Sequence, residues 1–166
     1  MYSDILYPTD GSDGATAALD NVRDVVETYD ATVHVLYVVD TTHTGLGSDP
    51  DREESPGMIG HPEGGDGGMV GVRATTEELQ ETLKEEGERV VEAVRSELSG
   101  VDVETVVRTG DPHEAILDYA EAADIDLIVM GTHGRTGLDR YLIGSVTEKI
   151  VRLSDTPVMT IRADGE

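Results

Sequence analysis

An α/β fold built on an open, wholly parallel sheet is what this 166-residue sequence predicts, and three features predict it. Short apolar runs alternate with helical stripes in the order β-α-β-α-β-α-β-α-β, a pattern that requires parallel strands joined by right-handed helical crossovers. Residues 32–39 (Thr-Val-His-Val-Leu-Tyr-Val-Val) become apolar on both faces toward their end, as strands covered by helices on both sides do. Finally, the apolar run ending at Met130 passes through a glycine-studded loop straight into a helix start. In such sheets ligands sit beyond the carboxyl ends of the strands, where strand order reverses.

Each element has its own local signature. Residues 5–7 (Ile-Leu-Tyr) form a short strand stopped by Pro8-Thr9-Asp10-Gly11-Ser12. Ala15, Ala18, Leu19, Val22, Val25, Val26 and Tyr29 recur at helical spacing, which predicts one amphipathic helix ending near Tyr29. The second strand covers residues 32–39. From about 41 to 74 the character changes: nine of the 19 glycines and three of the six prolines fall here, without periodicity. This is an insertion within a single domain spanning 1–166, since structureless loops of that length are uncommon in compact domains. Thr75-x-x-Glu78 has the form of a capping box, and Leu79, Leu83, Val90, Val91, Val94 and Leu98 mark the stripe of the following helix. Gly100 is placed to serve as its C′ residue, while Gly87 sits inside it at a cost of about 1 kcal/mol relative to alanine. Residues 101–107 alternate as a third strand. Asp111-Pro112-His113-Glu114 sets a capping residue, an N1 proline and an early acid before Ile116 and Tyr119. Residues 126–130 form the fourth strand, a helix opens at Ser145 and residues 157–161 form the fifth strand.

Composition narrows the partners. Twelve Lys+Arg stand against 35 Asp+Glu, a formal net charge of −23, with no Phe, Trp or Cys. Only Lys84 and Lys149 are lysines. Acid spread along the whole chain, scarce lysine and little aromatic bulk resemble proteins of high-salt cytoplasm. Such charge argues against nucleic acid or an anionic membrane as partner, and no apolar run approaches the roughly 18 residues of a membrane span. The amino terminus lacks the pattern of a secretory signal, so a cytoplasmic location is expected. The five histidines show no His-Glu-x-x-His pairing, and His43 and His61 lie in the insertion. No metal held by protein side chains is therefore expected. Neither a Walker pattern nor a dinucleotide fingerprint is present.

What carries chemistry is Gly131-x2-Gly134-x9-Gly144-Ser145 between a strand and a helix. Glycines let backbone approach a ligand closely, and the unpaired N–H groups of a helix's first turn favour an anion. Ser145-x-x-Glu148 also resembles a capping box, so Ser145 is read as a capping residue compatible with anion binding. If the first strand lies beside the fourth, Asp10 faces this loop.

Asp10 after the first strand, Gly-Thr-His-Gly-Arg-Thr-Gly at 131–137 and Gly-Ser-Val-Thr at 144–147 resemble the universal stress protein family, and specifically the glycine pattern of its ATP-binding members. The resemblance covers nearly the whole chain outside 41–74. It implies a Rossmann-like, adenine nucleotide alpha hydrolase-like sheet of order 3-2-1-4-5 with helices on both faces. It further implies an ATP site made of Pro8, Asp10, Val39, Met130, Gly131, His133, Gly134, Gly144, Ser145, Val146 and Thr147. In that site Asp10 would accept ribose hydroxyls, Val39 would contact adenine with backbone help, Met130 and Gly131 would flank the nucleoside, and His133 and Gly134 would lie beneath the phosphates. Arg135 is added as a phosphate contact on charge alone. Mg²⁺ or Mn²⁺ bridging the phosphates would offset the acidic field. The resemblance also implies a homodimer through residues 157–161, an apolar edge that pairing would protect. The leading expectation is an ATP-binding stress-response regulator. The alternatives are a slow ATPase or adenylyl hydrolase on the same site, and a non-catalytic module whose insertion binds a protein partner.

Overall fold

The computed structural model describes residues 1–42, 75–133 and 143–163. Five parallel strands, β1 (Asp4–Pro8), β2 (Thr32–Asp40), β3 (Val103–Gly110), β4 (Leu127–Gly131) and β5 (Val158–Ile161), form one sheet of order β3-β2-β1-β4-β5. The expected sheet and its strand order are thus observed. The helices are α1 (Asp13–Thr16), α2 (Leu19–Tyr29), α3 (Thr76–Glu97), α4 (Pro112–Ala122) and α5 (Ser145–Leu153).

Side chains of successive strand residues point to opposite faces, so a doubly covered sheet needs two cores. Ile5, Tyr7, Val33, Val35, Tyr37 and Val129 pack with Val22 and Val26 of α2 and Val91 and Val94 of α3. Leu6, Leu36, Ile128 and Met130 pack with Ile116 and Tyr119 of α4 and Ile150 of α5. The single helix expected up to Tyr29 is divided: α1 is a four-residue turn capped by Ser12, whose Oγ accepts from Ala15 N–H at 3.2 Å, and α2 starts afresh at Leu19. The capping box of Thr75 and Glu78 forms in both directions, and Asp111 caps α4 through the N–H groups of His113 and Glu114. At the far end of α3 the cap is Leu98, so Gly100, with φ +98°, lies one position beyond the C′ place expected of it.

Gly87 has a packing reason. A Cβ built there would lie 2.6 Å from Tyr37 Cδ1, so the glycine lets α3 press its backbone onto the tyrosine ring. His34 interrupts the α4-facing core with polar atoms, and they are satisfied: Nδ1 lies 2.8 Å from Tyr119 Oη and Nε2 lies 3.1 Å from Asp4 Oδ1. At the amino end of β4, the Asp126 carboxylate accepts the N–H groups of Ser3 at 2.8 Å and Asp4 at 3.2 Å, which holds its pKa below the usual aspartate value.

Strand pairing fails where the order reverses. β1 and β4 are in register only at Ile5↔Leu127 and Leu6↔Ile128, although β1 runs on to Pro8 and β4 to Gly131. The sheet therefore splays at its central switch point and leaves a crevice between two strand ends.

Candidate functional site

Four pieces of chain converge on that crevice. The first is the turn leaving β1. The Asp10 carboxylate accepts Ser12 N–H at 3.0 Å, Thr9 Oγ1 accepts Gly11 N–H at 3.2 Å, and Gly11 takes the positive φ of +73° that this tight turn needs. Tyr7 Oη donates to the Ala15 carbonyl at 2.7 Å and so ties β1 to α1. Burial pushes the Tyr7 pKa up to about 12, keeping that hydroxyl a donor at every physiological pH.

The second piece is the end of β4, and it meets α1 backbone to backbone. A Cβ on Gly131 would lie 2.2 Å from the Gly14 carbonyl oxygen, and a Cβ on Gly14 would lie 2.2 Å from the His133 carbonyl oxygen. Neither position admits a side chain. The family resemblance implies that Gly131 flanks a nucleoside; in the structure its close backbone neighbour is Gly14. Sequence reading passed over Gly14, whose only signal is a glycine inside a helical turn.

The third piece is the first turn of α5, which is fastened to the end of β4 at two points. Gly144 N–H donates to the Thr132 carbonyl at 2.7 Å, and the buried Thr147 hydroxyl donates to the Gly131 carbonyl at 2.9 Å. Two expectations change. Gly144, not Ser145, is the N-cap, and among the described residues no side chain caps the helix; Ser145 is the exposed first helical residue, so the predicted capping box does not form. The physical reason is tertiary: the bond from Gly144 to Thr132 fixes where the helix begins, and a glycine has no side chain to cap with. The Thr147 hydroxyl, expected as a ligand donor, is committed to holding α5 in place. What α5 offers the crevice is its first-turn N–H groups, which lack intrahelical acceptors, backed by the helix dipole.

The end of β2 contributes a backbone edge. Thr32 N–H bonds Ser3 and Thr9 N–H bonds Leu36, so even-numbered residues of β2 direct their peptide groups toward β1. Val33 N–H bonds Asp102 and Thr41 N–H bonds Gly110, so odd-numbered ones face β3. The last β1 partner is Pro8, opposite Leu36. Two residues further on, Val38 therefore aims its N–H and C=O past the end of β1, into the crevice. Val39, the residue singled out from sequence, points its peptide groups at β3 and buries its side chain to 3 % exposure in the α2/α3 core. The one-residue difference is a matter of register, which period-two alternation makes decisive.

Of the remaining expected residues, Pro8 and Met130 are buried beside the crevice, Met130 in the α4/α5 core. Val146 is half-buried against the same core. His133 Nδ1 lies 2.9 Å from Thr132 Oγ1, while its Nε2 is buried with no hydrogen-bond partner among the described residues. An unmet buried donor or acceptor costs about 1–3 kcal/mol. Gly134 and Arg135 lie outside the described residues. Among the described residues no group of three His, Asp or Glu side chains is placed to hold a metal ion, and no helix is long and apolar enough to cross a membrane.

The fold and the crevice define a class: a doubly wound parallel α/β protein with a helix amino end and an open backbone edge at its switch point. Comparison with known proteins narrows the class to one family. The universal stress protein family matches residues 1–162, and the chain belongs to it. It is similar to the universal stress protein MJ0531 of Methanocaldococcus jannaschii, 35% identical over 98% of this chain and 83% of the relative. It is also similar to the universal stress protein MJ0577 of the same organism, 34% identical over 98% of this chain and 96% of the relative. The solved structure of MJ0577 covers 100% of this chain and 99% of its own with a TM-score of 0.76 at 30% identity. A universal stress protein family member from Arabidopsis thaliana, solved with AMP bound, covers 98% of this chain and 93% of its own with a TM-score of 0.62. At 19% identity that likeness is one of fold.

Proposed function

We propose that this chain binds ATP in the crevice between β1 and β4 and acts as a nucleotide-responsive regulator in the stress response. The observation that carries the reading is the amino end of α5, without a side-chain cap among the described residues and bolted to β4 through Thr132 and Gly131. A helix start of that kind is a ready anion site. In this reading the α5 amides of Ser145 and Val146 hold the phosphates, and Asp10 accepts from the ribose hydroxyls. Pro8, Met130 and Gly131 line the nucleoside, and the N–H and C=O of Val38 pair with the adenine edge. Gly134 and Arg135 belong to the same loop by sequence and complete the proposed set. AMP in the Arabidopsis fold neighbour is a ligand of the same chemical class.

The residues suit such a ligand: the crevice supplies neutral donors and a backbone edge, and a net charge of −23 makes a counter-ion for the phosphates useful. Mg²⁺ or Mn²⁺ bridging phosphate oxygens would supply that charge. Asp10 is already engaged in its turn by Ser12 N–H, which favours a binding role for it over a general-base role, so any hydrolysis is slow.

The same reading includes a cytoplasmic homodimer formed through β5. Among the described residues that strand has β4 on one side only and is half-exposed, with Met159 on it and Val151 and Leu153 of α5 also exposed. The binding claim is tested by acid-quenching the purified protein and chromatographing the supernatant. Adenine nucleotide at near one equivalent per chain is expected. Its absence, together with no binding of added Mg-ATP, contradicts the reading.

A further inference from the structure

We propose that α1 is a spacer that sets the width of the crevice, with Gly14 as its positioning residue. The lack of a side chain at Gly14 lets the exit of β4, and with it the amino end of α5, sit close enough to β1 for one nucleotide to reach both. The inference rests on the nucleotide reading for its effect on binding, and adds to it a residue that acts through its neighbours.

On one side α1 is anchored to β1. The buried Tyr7 hydroxyl donates to the Ala15 carbonyl at 2.7 Å, Ser12 Oγ accepts Ala15 N–H at 3.2 Å, and Gly14 and Ala15 are both buried. On the other side α1 abuts residues 131–133. Gly131 lies two residues after Val129 and so faces the same α2/α3 side of the sheet. There the contact is backbone on backbone. A Cβ on Gly14 would overlap the His133 carbonyl, 2.9 Å from its carbon and closer still to its oxygen. Ordinary contact begins at 3.4 Å, so an added methyl group drives the two backbones apart by about 1 Å. Glycine stands here against local preference, since alanine favours a helical turn by about 1 kcal/mol.

With α1 held by Tyr7, that displacement falls on the β4 side, where α5 is fastened. The Thr132 carbonyl accepts Gly144 N–H at 2.7 Å, the Gly131 carbonyl accepts the Thr147 hydroxyl at 2.9 Å, and Thr132 N–H donates to the Ile161 carbonyl at 2.9 Å. Bonds of this length tolerate little stretching. A shift of about 1 Å either breaks the bond at the start of α5 or carries the helix along with it. In both cases the first-turn amides lose their spacing from Asp10 and the β2 edge.

Calorimetric titration of the full chain with Mg-ATP, at a temperature where each variant is folded, compares Gly14→Ala with Gly87→Ala. Both add one methyl group against a tight neighbour, but Gly87 meets the Tyr37 ring inside the α2/α3 core. Gly14→Ala should weaken ATP at least tenfold, whereas Gly87→Ala should leave its affinity within twofold. Unchanged affinity in Gly14→Ala, or equal losses in the two variants, overturns the inference. If Gly14→Ala does not fold, Tyr7→Phe unties α1 from β1 without adding bulk; ATP should then bind several-fold more weakly, and unchanged affinity is the contrary result. Hydrogen exchange reads the spacer without nucleotide. In free Gly14→Ala the Gly144 amide should exchange at least tenfold faster while the Ala115 amide, bonded to Asp111 at the start of α4, keeps its rate. A Gly144 amide that keeps its rate as well overturns the spacer. A wild-type chain that binds no Mg-ATP removes the nucleotide reading alone, and the exchange rates still decide this one.

Discussion

At the scale of single residues, glycines decide how closely the layers approach, and the structure separates those that matter from those that merely permit a turn. Gly87 shows two effects in competition. Replacing a mid-helix glycine by alanine ordinarily stabilises by about 1 kcal/mol. Here the added methyl would sit 2.6 Å from the Tyr37 ring, and overpacking of a core costs about 1–3 kcal/mol. Gly87→Ala is therefore expected to lower the thermal midpoint, and a raised midpoint in a melting experiment would show that α3 can lift without cost. The sequence marked Gly87 as a helix interruption, yet the aromatic ring beneath it is fifty residues away in the chain, on β2, and no local pattern reveals it. Gly14 was silent for the same reason: its partners, Gly131 and His133, come from β4 and the loop after it.

At the scale of elements, the crevice exists because β1 and β4 part company after Leu6 and Ile128 while β2 and α5 stay fixed around it. The β2 edge gives a prediction that separates neighbouring residues. Nucleotide should slow hydrogen exchange at the Val38 amide by about tenfold or more and leave the Val39 amide, already directed at β3, unchanged. Protection appearing at Val39 alone would contradict the register argument. Element boundaries governed by local chemistry were readable in the sequence. Thr75 with Glu78, and Asp111 with Pro112, announce their helices through bonds to residues two or three positions away. The helix α5 begins at Ser145 as the sequence indicates, and it is the capping residue that differs by one, because a bond from Gly144 to Thr132, twelve positions back, holds the start. The other exposed element is β5. If it pairs with a second copy, the protein should sediment as a dimer, and Met159→Glu should yield a folded monomer. A wild-type chain that stays monomeric at millimolar concentration would remove the dimer from the account.

For the whole molecule, the governing quantity is charge. A net charge of −23 on 166 residues repels itself and any polyphosphate at low ionic strength. Screening shortens the reach of that field from about 10 Å at 0.1 M salt to about 3 Å at 1 M. Raising KCl from 0.1 M to 2 M should therefore raise the thermal midpoint, by roughly 2–4 °C for each kcal/mol of repulsion relieved, and tighten ATP binding as well. A midpoint that is flat or falls with salt would argue that the acidic surface is not an adaptation to high ionic strength. The α/β class was legible because alternating elements leave few topologies open, whereas the strand order came from the family resemblance alone.

The central claim is that the crevice at the switch point is an ATP site. Calorimetric titration of the full-length protein with Mg-ATP in molar KCl addresses it most directly. One site per chain, saturating at micromolar to sub-millimolar nucleotide and weakened at least tenfold by Gly144→Asp at the start of α5, is the predicted result. No heat of binding, and no rise in thermal midpoint at several millimolar ATP, would contradict it.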